Sequence, residues 1–299
     1  MRIAFFGLPL AAVLLARDGH EVVWAGACRR GAIGTRRLVR LLGEHRVRVV
    51  PDAASDATYA ELRAARPEIT VSWFWTKKLP ARVLALAPAI GVHPSLLPRH
   101  RGPDPSFWAI DSGDDVTGVT AHLLDEEYDT GAVLARRTLR IDPAWNGWQL
   151  ARALDRPSLA LLRDTVRAYA EGRPPLPEPQ DERAATSAPE PGDEELAVRW
   201  SWPAARIERR VRAAAPWPGA WTEIGDSIVT LVRVRVTRDY PRALAAGEAA
   251  VRPGGEARVV AVVRAGDDAL ELLEARGEDD EPLSARHLAA LVEAARAAT

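Results

Sequence analysis

The chain has 299 residues, enough for two domains each with its own core. Forty basic and 41 acidic residues leave a net charge of −1, which excludes a polycationic nucleic-acid binder and confines any such contact to a local patch. One cysteine, Cys28, excludes an internal disulfide framework and a multi-cysteine metal site. No uncharged run reaches membrane-spanning length, so a cytoplasmic enzyme is expected.

Arg2–Gly7 is a short apolar run closed by Gly and reads as a buried strand. Leu8–Asp18 is helical in pattern, with Pro9 tolerated in the first turn. No convincing cleavage site follows the apolar run, and Asp18, His20 and Glu21 arrive at once, so the N-terminus is read as strand and helix and not as a signal peptide. His20–Ala25 is a second strand, and strand–helix–strand is the unit of a parallel sheet. Gly7 stands alone, so no dinucleotide fingerprint is present. Arg36–Glu44, Tyr59–Ala65 and Leu79–Leu86 read as helices; Val47–Val50, Glu68–Phe74 and Ala89–Val92 read as strands. Beyond residue 105, Ser106–Ser112 reads as a helix and Asp115–Leu124 and Ala132–Ile141 as extended. Trp148–Glu171 is helical in spacing, and Pro157 inside it predicts a kink or two helices.

Composition then changes. Residues 1–172 form an α/β unit, 173–195 a Pro-rich linker, and 196–299 a second unit. Trp202–Ala213 is helical and carries Arg206, Arg209, Arg210 and Arg212. SIVTLVRVRV, EARVVAVV and DALELLEA alternate as strands, which fits a small β-barrel, and Ser284–Ala298 closes as a helix.

The stretch Gly91–Ile110, GVHPSLLPRHRGPDPSFWAI, has neither helical nor strand period, and four prolines prevent a regular element over most of it. A polar loop directly after a buried strand is where α/β enzymes place chemistry. Further on stands DEEYDTG, Asp125–Gly131. An imidazole and a carboxylate brought together from the two stretches make an acid–base pair.

HPSLLPRHRGPDPSFWAI resembles the H-x-SLLP-x-x-RG loop of folate-dependent formyltransferases, most closely the methionyl-tRNA formyltransferase family. The resemblance continues through Thr117–Thr120 (TGVT), Asp129–Gly131 (DTG), Pro179–Glu190 and Arg199–Thr222. It implies an open parallel-sheet, Rossmann-like domain followed by an OB-like β-barrel. It implies transfer of a formyl group from 10-formyltetrahydrofolate as donor substrate. His93 and Asp129 map onto two members of the family's Asn–His–Asp catalytic set, and the Asn position is Gly91. Gly91, Ser95, Leu96, Pro98, Arg99, Arg101, Gly102, Asp104 and Tyr128 are the expected substrate and donor contacts.

Gly91 is the telling departure. Formyl transfer develops an oxyanion, and losing one oxyanion donor commonly costs about 3 kcal/mol. Asn146 is the only asparagine in the chain; it, Ser95, a backbone N–H or a water are the substitutes considered. Gly91→Asn is expected to keep or raise activity. Arg99 and Arg101 hold an anionic group or pair with acids to brace the loop. Asp104 reads a different substrate or is a solvated loop charge. Asp129 acts in catalysis or caps the turn before Gly131. Trp73, Trp75 and Trp108 line a pocket or pack the core. His122, like the remaining histidines, is read as structural. The arginines of Trp202–Ala213 contact RNA phosphates or form a solvated face.

The first functional reading is an N-formyltransferase acting on an amine of a biosynthetic intermediate, either a small molecule or a carrier-bound or aminoacyl acceptor. The second is methionyl-tRNA formyltransferase with a compensated site, which makes tRNA the partner. The third is altered chemistry on the same fold, such as a different transferred group or hydrolysis of the donor. No metal and no membrane partner are expected.

Overall fold

The computed structural model describes residues 1–253 and 259–297. The chain divides into two compact units. The first holds residues 1–105, 116–140 and 153–189; the second holds 106–115, 141–152 and 190 onward.

In the first unit, β1 (Arg2–Gly7), α1 (Pro9–Arg17) and β2 (Glu21–Ala27) form the expected opening. Pro9 sits at the first helical position, where its missing N–H costs nothing. Then come α2 (Thr35–Leu42), β3 (Val47–Val49), α3 (Asp56–Ala65), β4 (Ile69–Trp73), α4 (Ala81–Leu84) and β5 (Ala89–His93). β6 (Val116–Leu123) and β7 (Val133–Arg140) complete the strands of this unit; α5 (Pro105–Asp111) belongs to the second unit except for Pro105, and α6 (Gly147–Ala170) begins in the second unit and continues in the first from residue 153.

The seven strands lie in the order β3-β2-β1-β4-β5-β6-β7. β1 to β5 pair in parallel, whereas β6 and β7 run antiparallel to their neighbours. Residues 124–132 are too few for a crossover helix between β6 and β7, so that edge turns back on itself. The parallel sheet read from the sequence therefore carries an antiparallel edge. The central strands are apolar almost throughout, as strands covered on both faces are. Ile3, Phe5, Phe6, Ile69, Val71 and Ile90 are all inaccessible to solvent or nearly so.

Pro157 splits nothing: α6 is one helix. Leu154, Leu161, Leu162 and Val166 bury a continuous stripe, and Ser158 Oγ accepts a 2.8 Å bond from the Trp73 indole. That apolar burial outweighs the hydrogen bond lost at the proline.

The second unit contains α7 (Asp193–Leu196), α8 (Ala204–Ala214), β8 (Ala220–Ile224), β9 (Ser227–Thr237), β10 (Ala249–Pro253), β11 (Val259–Arg264), β12 (Ala269–Arg276), β13 (Pro282–Leu283) and α9 (Ala285–Ala297). The sheet order is β10-β11-β12-β9-β8, with β13 on β12. The start of EARVVAVV and the last residue of the expected closing helix lie outside the described residues. Among the described residues no helix is long and apolar enough to cross a membrane.

The arginines of α8 are largely committed inside this unit. Arg210 is buried and makes a bidentate pair with Asp111 at 2.7 and 2.9 Å. Its guanidinium lies 5.1 Å from the Trp202 ring centroid. Arg212 bonds Glu208 and the Trp145 carbonyl, and Arg206 lies 4.0 Å from the Trp202 ring centroid. Asn146 exchanges bonds of 2.8 and 2.9 Å with Gln149 and caps the start of α6.

Candidate active site

The order of strands reverses between β1 and β4, and ligands of open α/β sheets bind beyond the carboxyl ends of strands near such a switch. A cavity of about 360 Å³ lies beside that switch, on the β4 and β5 side. Ser72 in β4 and Phe74–Leu79 after it line the cavity, with Gly91–Pro94 at the end of β5, and Asp125 and Glu127–Asp129 after β6.

Alternation along β5 sends Gly91 and His93 to one face of the sheet. The antiparallel register sets His122 directly opposite Gly91 and Thr120 opposite His93, so all four share that face. Thr120 Oγ1 donates to the Ser95 carbonyl at 2.7 Å and accepts from Leu97 N at 3.1 Å, which ties the loop back onto β6.

His93 is buried, and its Nε2–H donates to the His100 carbonyl at 2.7 Å. His100 is held with φ at 58° and presents that carbonyl. The other ring nitrogen, Nδ1, faces Asp129 Oδ2 at 3.4 Å. Asp129 Oδ2 also accepts the Gly102 N–H at 2.9 Å, and Oδ1 lies 3.7 Å from His122 Nε2. One carboxylate thus stands between two imidazoles. Asp129 itself adopts φ of 58°, a left-handed conformation that aspartate tolerates better than most residues. At Gly102, φ is +127° and a Cβ would fall 2.6 Å from the Ala188 carbonyl, so only glycine brings this N–H to the carboxylate.

His122 is buried, and its Nδ1–H donates to the Leu123 carbonyl at 2.8 Å. Burial pushes its pKa down from the usual imidazole value; the nearby Asp129 carboxylate opposes this and His93 adds to it. Among the described residues no three His, Cys, Asp or Glu side chains converge as a metal set.

The expected site residues separate into two groups. Gly91, His93, Gly102, Tyr128 and Asp129 line the cavity. Ser95, Leu96, Pro98, Arg99, Arg101 and Asp104 do not; they build the frame behind it. Ser95 Oγ donates to the Arg99 carbonyl at 2.6 Å. Leu96 packs toward Gly118, and Pro98 follows a cis peptide bond. Arg99 Nη2 stands 3.4 Å from the His100 ring. Arg101 pairs with Glu182 at 2.8 Å and with Gln180 at 2.8 and 3.1 Å. Its pKa is raised, first by the Glu182 bond. Of the two readings offered for Arg101, bracing the loop is the one these bonds describe. The N–H of Asp104 donates to the Ala188 carbonyl at 3.1 Å. Trp75 lines the cavity, Trp73 bonds Ser158 in the core, and Trp108 packs edge-on to Phe107. Asn146, occupied as a helix cap, is not among the cavity residues.

Sequence reasoning missed His122 and Gln180. The signal for His122 was available in the alternation of Asp115–Leu124, once that strand is paired with β5. Gln180 Nε2 donates to the Asp129 and Gly131 carbonyls at 2.8 and 2.7 Å while its Oε1 accepts from Arg101, so one amide fastens the DTG turn to the loop.

Residues 39–165 match the formyl transferase family, and residues 192–291 match the formyl transferase C-terminal domain. A methionyl-tRNA formyltransferase from Chloroflexus aurantiacus is 34% identical over 304 residues, covering 95% of this chain and 94% of its own length. The fold is similar to that of Aquifex aeolicus HypX solved with tetrahydrofolic acid, with TM-score 0.65, 21% identity and 98% of this chain covered; the chain spans 48% of HypX. It is also similar to an N-formyltransferase from Helicobacter canadensis solved with folinic acid and dTDP-3-aminofucose, with TM-score 0.67, 12% identity, and 91% and 98% of the two chains covered. With that identity along nearly its whole length, and with the imidazole–carboxylate pair at the mouth of its parallel sheet, the chain belongs to the formyltransferase family of enzymes.

Proposed function

We propose that the protein is an N-formyltransferase that moves a formyl group from 10-formyltetrahydrofolate to the amine of a small biosynthetic intermediate. The observation that carries this reading is the His93–Asp129 pair lining a cavity at the carboxyl ends of β4 and β5. Asp129 orients the His93 ring. His93 supports the developing oxyanion, and the site lacks the amide donor that an asparagine at 91 would add.

The cavity walls fit the donor. Phe74, Trp75, Leu79 and Leu124 offer apolar and aromatic surface for a flat pterin. The Trp75 indole N–H is buried and has no hydrogen-bond partner among the described residues, which suits a ring acceptor. Lys77, another wall residue, matches the donor's glutamyl carboxylates.

The committed arginines of α8 favour a small acceptor over RNA. Arg210 and Arg212 spend their guanidinium groups on Asp111, Glu208 and the Trp145 carbonyl, which leaves them little capacity for phosphates. The second reading, initiator tRNA as acceptor, is favoured by the name and full-length similarity of the Chloroflexus relative.

The test supplies 10-formyltetrahydrofolate with a panel of amines: amino-sugar nucleotides, amino acids and methionyl-tRNA. Release of tetrahydrofolate together with a formamide product identified by mass supports transfer. Product on methionyl-tRNA alone selects the second reading, and tetrahydrofolate release without any amine selects hydrolysis.

A further inference from the structure

We propose that His122 is the catalytic base of this site, taking the proton of the attacking amine through Nε2 and occupying the ground left empty at residue 91. The inference rests on the transferase reading above and assigns the proton to a residue within it.

Three independent features point to His122. The first is position. A Cβ built on Gly91 would lie 3.7 Å from His122 Nε2 and 2.9 Å from Leu124 Cδ2, so the imidazole edge borders the volume that a side chain at 91 would enter. The register across β5 and β6 makes this a direct pair on the face that bears His93. The β6–β7 ladder also slips at Ala121/His122, a bulge of the kind that re-aims a side chain beside a site.

The second feature is the tautomer. The Leu123 carbonyl can only accept, so the 2.8 Å contact fixes the proton on Nδ1 and leaves the lone pair on Nε2. That nitrogen belongs to a cavity residue, and its distance of 3.7 Å to Asp129 Oδ1 is too long for a hydrogen bond. His122 thus keeps a basic nitrogen at the cavity.

The third feature is charge. Burial favours the neutral ring, the form that can accept a proton, while Asp129 and Asp125 stand ready to stabilise the cation once formed. His93 is the one opposing charge among the groups acting on it.

The step balances without a co-reactant. The amine nitrogen bonds the formyl carbon, the carbonyl π pair moves to oxygen, and the amine proton passes to His122 Nε2. The new Nε2–H faces the oxyanion as an asparagine amide would have done. On collapse the carbon–N10 bond breaks, its electron pair goes to N10, and His122 returns the proton there.

The test uses the full chain. Because His122 is buried, His122→Gln accompanies His122→Ala, and titration with 5-formyltetrahydrofolate checks that each variant retains the donor site. Both variants should lose about 100-fold or more in kcat while donor affinity stays within about threefold. Adding Gly91→Asn to His122→Ala places an amide in the vacated space and should recover about tenfold. In wild-type protein carrying ¹⁵N-histidine, the His122 resonances should report a proton on Nδ1 only. Turnover of His122→Gln within about threefold of wild type, or a proton on Nε2 in the resting enzyme, overturns this inference alone. A wild-type protein that releases no tetrahydrofolate with any amine overturns the transferase reading, and the inference falls with it.

Discussion

The two units each bury a cluster of charged or titratable side chains, and the clusters are built to opposite ends. In the second unit Arg210 and Asp111 meet through two bonds of 2.7 and 2.9 Å, with almost nothing exposed and an aromatic ring alongside. In the first unit Asp129 stands 3.4 Å from one imidazole and 3.7 Å from another, at the wall of a cavity. The first arrangement is closed and spends its charge on holding two helices of one unit together. The second is left partly open: one nitrogen of each imidazole and one oxygen of Asp129 are anchored, while His122 Nε2 stays at the cavity without a hydrogen bond.

The largest effect expected from breaking this contrast is catalytic. His93→Ala should lower kcat/KM by about a thousandfold or more, a far larger effect than the about 1–3 kcal/mol of stability lost with the buried bond to the His100 carbonyl. Steady-state kinetics beside equilibrium denaturation check this, and a variant with full turnover would remove His93 from the site. Asp111→Ala should do the reverse. It strands a buried guanidinium and should cost about 3–5 kcal/mol of stability, measured by urea unfolding. Replacing both partners at once, as Asp111→Leu with Arg210→Met, should cost far less, since no charge is left unpaired.

Gly102→Ala is smaller and touches both properties. The added Cβ meets the Ala188 carbonyl in a backbone conformation costly for alanine, so about 1–3 kcal/mol of stability should go. The N–H that fixes Asp129 would shift with it, and kcat should fall along with the urea midpoint.

The smallest effect concerns pH. The folded protein holds the His122 pKa below its unfolded value of 6.5 because burial disfavours the cation. The unfolded chain then binds more protons, so the stabilising difference is complete above that value and is lost as pH falls below it. The stability gap between wild type and His122→Gln should shift against wild type from pH 7 to pH 5. A gap that does not change over that range would mean that the ring takes up its proton in the fold as readily as in the unfolded chain.

Much of the fold was legible in local pattern. β1, α1, β2 and β4 follow from apolar runs bounded by Gly, Pro and charge, because these strands are covered on both faces. His93 and Asp129 were legible because each sits in a stretch whose residues serve one purpose. His122 was not. Its meaning depends on which residue lies across the ladder, and register is a property of two strands that no single stretch displays. The same holds for Gln180, whose three partners come from two distant turns. Of the two outcomes expected at Pro157, the split into two helices does not occur, because local helix breaking is outweighed by burial spread over Leu154 to Val166. Gly91→Asn, expected from the sequence to keep or raise activity, would set its Cβ 2.9 Å from the end of the Leu124 side chain and 3.7 Å from His122 Nε2, so Leu124 must shift to admit it.

The Pro-rich stretch after α6 has a consequence for transplanting this enzyme. Thr186 accepts from His100 N, Ala188 bonds both Arg101 and Asp104, and Gln180 holds the turn at Asp129. These anchors all lie beyond residue 165, where the match to the formyl transferase family stops. A chimera that borrows only the matched segment would inherit His93 and Asp129 without the strap that aligns them. The heritable unit of catalysis here is longer than the sheet, and a graft should run at least through Pro189, the end of the first unit.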